Sequence, residues 1–172
     1  AEQVTIAGIS RSDVVQVIAE VDQYRGKRQL KVTSIRALPR ASVDIRQLLP
    51  SVGDIASYWK TLDQWRSEIR GPHLARTLAL FFDDDDFRTR FESCPASIAG
   101  HHAAVGGLLK HVCEVATIGR AIARTCRADR DLILAGALLH DIGKLESDRW
   151  DGAFEYTDCG RLFGHVVLGA LM

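Results

Sequence analysis

A histidine joined directly to an aspartate, His140-Asp141, closes a strongly apolar helical pattern, and this pair constrains the chain more than any other feature. A carboxylate in that position must be paired, hydrated or bound to a cation. The helix dipole disfavours negative charge at a C-terminal end, which adds to the demand for a positive partner. Ile142-Gly143-Lys144 follows at once, and Gly143 suits a sharp exit from the helix. His111 lies upstream and His165 downstream, each within its own apolar helical pattern. Four ligand-type side chains on three helices can converge on one metal. Imidazole plus carboxylate suits Fe, Mn, Zn or Co. The set points to metal-assisted phosphoester hydrolysis. The plainer alternative is a C-terminal turn before Gly143, with His111 and His165 as core histidines bonded to backbone carbonyls.

Two different periodicities divide the chain. Residues 1–38 read as β. A short strand fits Gln3 to Ile6, and Val14 to Val21 is a β-branched run. Asp22 to Lys27 reads as a turn with Gly26 free to take positive φ. Gln29 to Ile35 then alternates polar and apolar, as a half-buried strand does. One hairpin is marginal alone and needs more strands or a helical face. Residues 39–70 read as a linker (Pro39 to Asp54) and a helix carrying Ile55, Tyr58, Trp59, Leu62, Trp65 and Ile69. Residues 71–172 read as a helical bundle. His73 to Phe82 is a short helix after the Gly71-Pro72 break, and Asp83 to Asp86 caps the next one rather than binding metal. A long helix fits His101 to about Thr125, with Leu108, Leu109, Val112, Val115, Ala116, Gly119 and Ile122 inward. Another fits Arg130 to His140, where Ala135, Gly136 and Ala137 permit close approach and would bring His111 and His140 together. After a polar loop, Leu162 to Met172 begins a last helix. On a helix starting at His101, His102 would share the broad face of His111 at i and i+9. Lys144, three residues after Asp141, is a surface lysine or, beside a metal cluster, a phosphate clamp.

Composition narrows the classes. Lys+Arg and Asp+Glu are both 22, so no whole-molecule field argues for nucleic acid, although a local basic patch is compatible. Cys94, Cys113, Cys126 and Cys159 show no CxxC pairing, which argues for free thiols in a reducing compartment. No apolar run reaches the roughly 18 residues that span a bilayer. A soluble cytoplasmic protein is the simple expectation. The opening on a strand pattern and the end inside an apolar helix read as a piece of a longer chain, truncated at the C-terminus.

His111, then His140-Asp141 with Gly143-Lys144, resembles the HD-domain metal-dependent phosphohydrolase superfamily. Pro95-Ala96, His101-His102-Ala103, Gly106 to His111, Leu138 to Lys144 and Gly164-His165 are similar to one branch of it. That branch is the bacterial 3′-5′ exoribonucleases with an N-terminal OB-fold and a C-terminal HD domain. Tyr24 to Val32 with Ile35-Arg36 looks like the last part of that OB-fold. The implied fold is mostly α: an HD-domain helical bundle preceded by a partial β (OB-fold) segment. The implied domains are an OB-fold C-terminal part at 1–38, a linker and helix at 39–70, and the HD bundle at 71–172.

The resemblance also implies roles. His111, His140 and Asp141 are implied as ligands of one or two divalent ions, with Asp141 bridging and His165 on the second ion. Mn or Fe leads, with Mg, Co or Zn as alternatives. Relatives supply a further histidine pair and an aspartate beyond the point where this sequence ends. The implied reaction is 3′-5′ exonuclease action on single-stranded RNA or DNA, through water activated by the ion. Asp141, Lys144 and His102 would act at the phosphate. Tyr24, Arg25, Lys27, Arg28 and Lys31 would guide a single strand through stacking and basic contacts, the alternative being a solvated hairpin. Nucleotide or cyclic-nucleotide hydrolysis, or an inactive HD module that binds nucleic acid or protein, stay open as competing functions. No membrane partner is expected, and a homo-oligomer stays open.

Overall fold

The computed structural model describes residues 8–10 and 12–172, so the expected strand at Gln3 to Ile6 lies outside the described residues. The chain separates into two compact units, Ala1–Leu48 with Asp151–Ala153, and Leu49–Trp150 with Phe154–Met172.

The first unit holds a long antiparallel hairpin, β1 (Val15–Tyr24) and β2 (Lys27–Ala37). The turn is tighter than Asp22 to Lys27: only Arg25 and Gly26 are unpaired, with φ of 49° and 78°. Positive φ at both positions is the two-residue turn whose twist matches paired strands. A bulge between Ile18 and Ala19 leaves Thr33 without a Cα partner, and its Oγ1 donates to the Ile18 carbonyl at 3.1 Å. From Ala19 to the turn, one face of the pleat carries Ala19, Val21, Leu30 and Val32, and the other carries Glu20, Asp22, Tyr24, Lys27, Gln29 and Lys31. Val21 and Leu30 on the apolar face are exposed.

The second unit is helical: α1 (Ile55–Ser67), α2 (Pro72–Phe82), α3 (Asp85–Ser93), α4 (Gly107–Thr125), α5 (Arg130–Leu139), α6 (Lys144–Ser147) and α7 (Asp158–Ala170), with β3 (Asp148–Arg149) pairing β4 (Glu155–Tyr156). Side chains set the helix starts. Asp54, Asp84, Asp129 and Thr157 accept from backbone amides three residues on, which satisfies donors that a helix start leaves open. The acidic run 83–86 thus caps α3 through Asp84, which accepts from the Phe87 amide at 2.7 Å. At the start of α2, Asp131 of α5 accepts from the Arg70 and Gly71 amides at 2.7 and 2.9 Å. No helix among the described residues is long and apolar enough to cross a membrane.

The helix α1 packs within this unit, so the linker proper ends before it. Trp59, Leu62 and Trp65 join Phe82, Phe87, Phe91, Leu108, Val112, Leu134 and Leu138 in one buried cluster. Phe82, Phe87 and Phe91 meet with ring centroids 5.4–5.5 Å apart. Three expectations need correction. First, α4 begins at Gly107, because Gly106 has φ +81° and ends helical continuity there; His101 and His102 lie in the preceding loop. Second, Ile122 is exposed, since only the first turns of α4 run through the core. Third, the close approach of α4 and α5 comes from Gly119 rather than Gly136. A Cβ on Gly119 would stand 2.9 Å from Ile133 Cγ2, whereas one on Gly136 would meet nothing within 4 Å.

An ion-pair cluster clamps α1 to α3. Arg88 grips Asp63 through both carboxylate oxygens at 2.9 Å, stacks over Trp59, and shares Asp63 with Arg66. The Arg88 hydrogen bond, against a smaller opposing effect of burial, holds the Asp63 carboxyl below its ordinary value of 3.8. Its stabilisation is therefore present above that value and lost as pH falls through the lower folded value. Asp63→Asn should cost about 1 kcal/mol near neutral pH, the scale of a partly exposed pair. Urea unfolding should show that difference shrinking below about pH 4, where the unfolded-state carboxyl protonates.

Candidate metal centre

The centre forms where α4, the end of α5, and α7 meet. His111 sits on the second turn of α4, His140 caps α5, and Asp141 follows in the turn leading to α6. Leu138, Ile142 and Leu145 are buried around this turn. Asp141 is buried with them at 4% exposure, which commits its carboxylate to neighbouring groups.

Those neighbours surround it. On one side, Asp141 Oδ2 faces Lys144 Nζ at 3.0 Å, His140 Nε2 at 3.3 Å and His111 Nε2 at 3.5 Å. On the other, Oδ1 faces His165 Nε2 at 3.2 Å. The two histidine Nε2 atoms of His111 and His140 stand 3.4 Å apart. Burial alone would push the Asp141 carboxyl up, but hydrogen bonds from His140 and Lys144 outweigh it and hold the group well below the usual carboxylate range. Burial pulls the His111 imidazole down, against the pull of Asp141. His140 is raised, chiefly by its hydrogen bond with Asp141 and against burial.

Backbone contacts orient these groups. His140 Nδ1 lies 2.9 Å from the Ala137 carbonyl, which can only accept, so Nδ1 carries the proton. In the neutral ring the lone pair is then at Nε2, aimed at His111 and Asp141. His165 is placed by two glycines. Gly143 lets α7 cross the α5–α6 turn: a Cβ there would stand 2.0 Å from the His165 carbonyl and 2.3 Å from the Gly169 amide. Gly164, with φ +71°, breaks α7 just before His165 and redirects it. Lys144 donates to the Ala96 carbonyl as well as facing Asp141, so its ammonium is turned inward.

The donor set fits a divalent ion. Nitrogen and oxygen ligands at about 2.0–2.2 Å from one ion stand roughly 3–3.5 Å apart. The His111, His140 and Asp141 atoms are already spaced at 3.3–3.5 Å. With its neutral ring protonated at Nδ1, His140 presents an Nε2 lone pair beside His111 Nε2 and Asp141 Oδ2, and a cation there takes the place of the proton that otherwise bridges His140 and Asp141.

Residues 108–172 match the family model for the HD domain. Over that segment the chain is similar to the HD domain. Across 90% of its length it is also similar to curated relatives named 3′-5′ exoribonuclease YhaM: 31% identical to that of Bacillus subtilis, 33% to that of Bacillus velezensis and 30% to that of Oceanobacillus iheyensis. It spans about half the length of each. No solved structure matches the chain.

Other expected site residues fall elsewhere. His102 lies in the loop before α4, at φ +53°, and its Nε2 meets Glu114 Oε2 at 2.7 Å. It does not share a helix face with His111; the rings are 6.3 Å apart between centroids. The basic set on the hairpin is also divided. Tyr24, Lys27 and Lys31 share the polar face with Glu20 and Asp22, while Arg28 pairs with Gln23 on the apolar face. Arg25 sits in the turn with its guanidinium 5.3 Å from the Tyr24 ring. Sequence reasoning passed over Glu114, which stands three residues after His111 and so on the same side of α4. The Gly106-Gly107 pair was the available signal that the helix starts later than His101.

Replacing Gly143 by Ala should drive α7 off the turn, because the added carbon meets backbone on two sides. We expect a loss of about 1–3 kcal/mol in stability. A crystal structure or histidine NMR of the variant should show His165 displaced from Asp141 while His111 and His140 remain paired.

Proposed function

We propose that the protein to which this chain belongs is a metal-dependent phosphodiesterase that removes nucleotides from the 3′ end of single-stranded RNA. The observation that carries the reading is the convergence of His111, His140 and His165 on the two oxygens of one buried carboxylate, Asp141. In this reading His111, His140 and Asp141 would hold one divalent ion, and His165 with Asp141 would help to hold a second. The chemistry such ions supply is an activated water nucleophile and neutralisation of charge at phosphorus. Mn²⁺ or Fe²⁺ suits the mixed imidazole–carboxylate set best.

The chain's own groups do the remaining work. Ala137 fixes the ring orientation of His140, and Lys144 keeps Asp141 ionised and adds positive charge beside the phosphate site. His102 is less suited to a phosphate, because the Glu114 carboxylate at 2.7 Å places negative charge where the anion would approach. The exposed apolar face of the hairpin supports its assignment to an OB-fold, which would cover Val21 and Leu30. Tyr24, Lys27 and Lys31, on one face, are the residues we assign to strand guidance. Similarity to the named exoribonucleases supports RNA as the substrate.

The test uses the full-length protein, Mn²⁺ and 5′-labelled single-stranded RNA. Stepwise shortening from the 3′ end is the expected result. His140→Ala and Asp141→Asn should each lower the rate by at least about 100-fold, in line with loss of an ion that activates the nucleophile. Hydrolysis of mononucleotides with RNA left intact would overturn the exonuclease reading. RNA binding without any hydrolysis would make the protein an inactive binding module.

A further inference from the structure

A second cluster of metal-ligating side chains stands apart from the centre above. His101 and His102 in the loop, and Glu114 on α4, each offer one ligand atom, and these lie within 4.8 Å of one another. Glu114 Oε2 is 2.7 Å from His102 Nε2 and 3.7 Å from His101 Nε2. These distances bracket the roughly 3–3.5 Å spacing of ligand pairs on one ion. The two imidazole ring centroids are 3.7 Å apart, with the ring planes tilted at 50°. Lys110 Nζ approaches the other oxygen, Oε1, at 3.9 Å, and so leaves Oε2 to the histidines.

The loop is built to hold this arrangement. His102 adopts a left-handed conformation, which a non-glycine residue occupies only where its surroundings over-determine it. The surroundings here are specific. The His102 carbonyl accepts from the Ala96 amide at 3.1 Å and the Ala104 amide at 2.8 Å. Gly107 permits the close pass, since a Cβ there would stand 2.0 Å from that same carbonyl. Ser97 Oγ lies 2.8 Å from the Ala99 carbonyl and 2.9 Å from the His101 carbonyl, and its single proton is shared between them. The His102 side chain is only 13% exposed, so its pairing with Glu114 is not a chance surface contact.

We propose that His101, His102 and Glu114 form an additional cation site, separate from the Asp141 centre, that takes a Zn²⁺- or Co²⁺-class ion. Two imidazoles and one carboxylate are a ligand set for such ions, with coordination positions left for water or a substrate oxygen. The His101 ring lies 5.8 Å from the His111 ring between centroids, so an ion here stands beside the first centre without sharing a ligand with it.

The experiment is equilibrium dialysis of the metal-stripped full-length protein against Zn²⁺, with bound metal counted by elemental analysis. Glu114→Gln should lower the count by one ion per chain, and His101→Ala should do the same. The same one-ion difference should appear when Glu114→Gln is added to the His140→Ala/Asp141→Asn protein. The thermal midpoint of the metal-free Glu114→Gln protein should match wild type, which separates lost ligation from lost fold. An unchanged count in both Glu114→Gln and His101→Ala proteins overturns the proposal. Failure of the Asp141 reading shows differently: the His140→Ala/Asp141→Asn protein would then hold as many ions as wild type.

Discussion

The Asp141 carboxylate lies 4% exposed where an apolar helix ends, and a charge at that depth has lost most of its hydration. Such a group is retained only where close partners replace the water. Here they come from three places in the sequence: His111 from α4, His140 and Lys144 from the same turn, and His165 from α7. The helices must be brought together before any of these partners can reach it. Close packing at Gly119 and Gly143, and the aromatic cluster behind α4, therefore serve one geometric end. They hold two helices against the α5–α6 turn.

The same carboxylate divides the centre into two sides. Oδ2 faces His111, His140 and Lys144, while Oδ1 faces only His165 among the groups described above. One side is crowded and already charge-balanced by an ammonium. The other has a single imidazole on a helix with exposed apolar neighbours, Val166 and Val167. A second ion on that side would need ligands beyond His165. Gly164 breaks α7 just before His165, which faces Oδ1.

How much was legible in the sequence depended on the range of the signal. His140-Asp141, its glycine exit and the apolar spacing around His111 are local patterns, and the structure brings the side chains they single out together at Asp141. Caps such as Asp84 are equally local. The loop carrying His101 and His102 reads as helix in sequence because apolar spacing continues through it, while the break at Gly106 lies where a Cβ would collide with Ile55 and Val52, residues distant in sequence. Glu114 escaped notice because a half-buried glutamate on a helix has no local mark of function. Its meaning comes from a loop that folds back twelve residues earlier. Strand faces on the hairpin depended on register. A tight Arg25-Gly26 turn puts Arg28 opposite Gln23, and that pairing alone separates it from Lys27 and Lys31.

The loop and the centre are joined through backbone rather than through shared side chains. Lys144, beside Asp141, donates to the Ala96 carbonyl, and the Ala96 amide donates to the His102 carbonyl. The Ala96 amide and carbonyl belong to successive peptide units that meet at its Cα, so the link from Lys144 to His102 runs through two hydrogen bonds and one buried residue. Lys144 thus has two duties that one lysine can meet because its ammonium carries three donors. It compensates the buried carboxylate, and it tethers the loop that presents His101 and His102. Arginine at this position would keep the charge but not the shape, since a planar fork cannot fit between one carboxylate oxygen and one carbonyl as a compact ammonium does. The lysine after Gly143 is therefore explained by geometry as well as charge, and the two clusters stand beside each other because it occupies the space between Asp141 and Ala96.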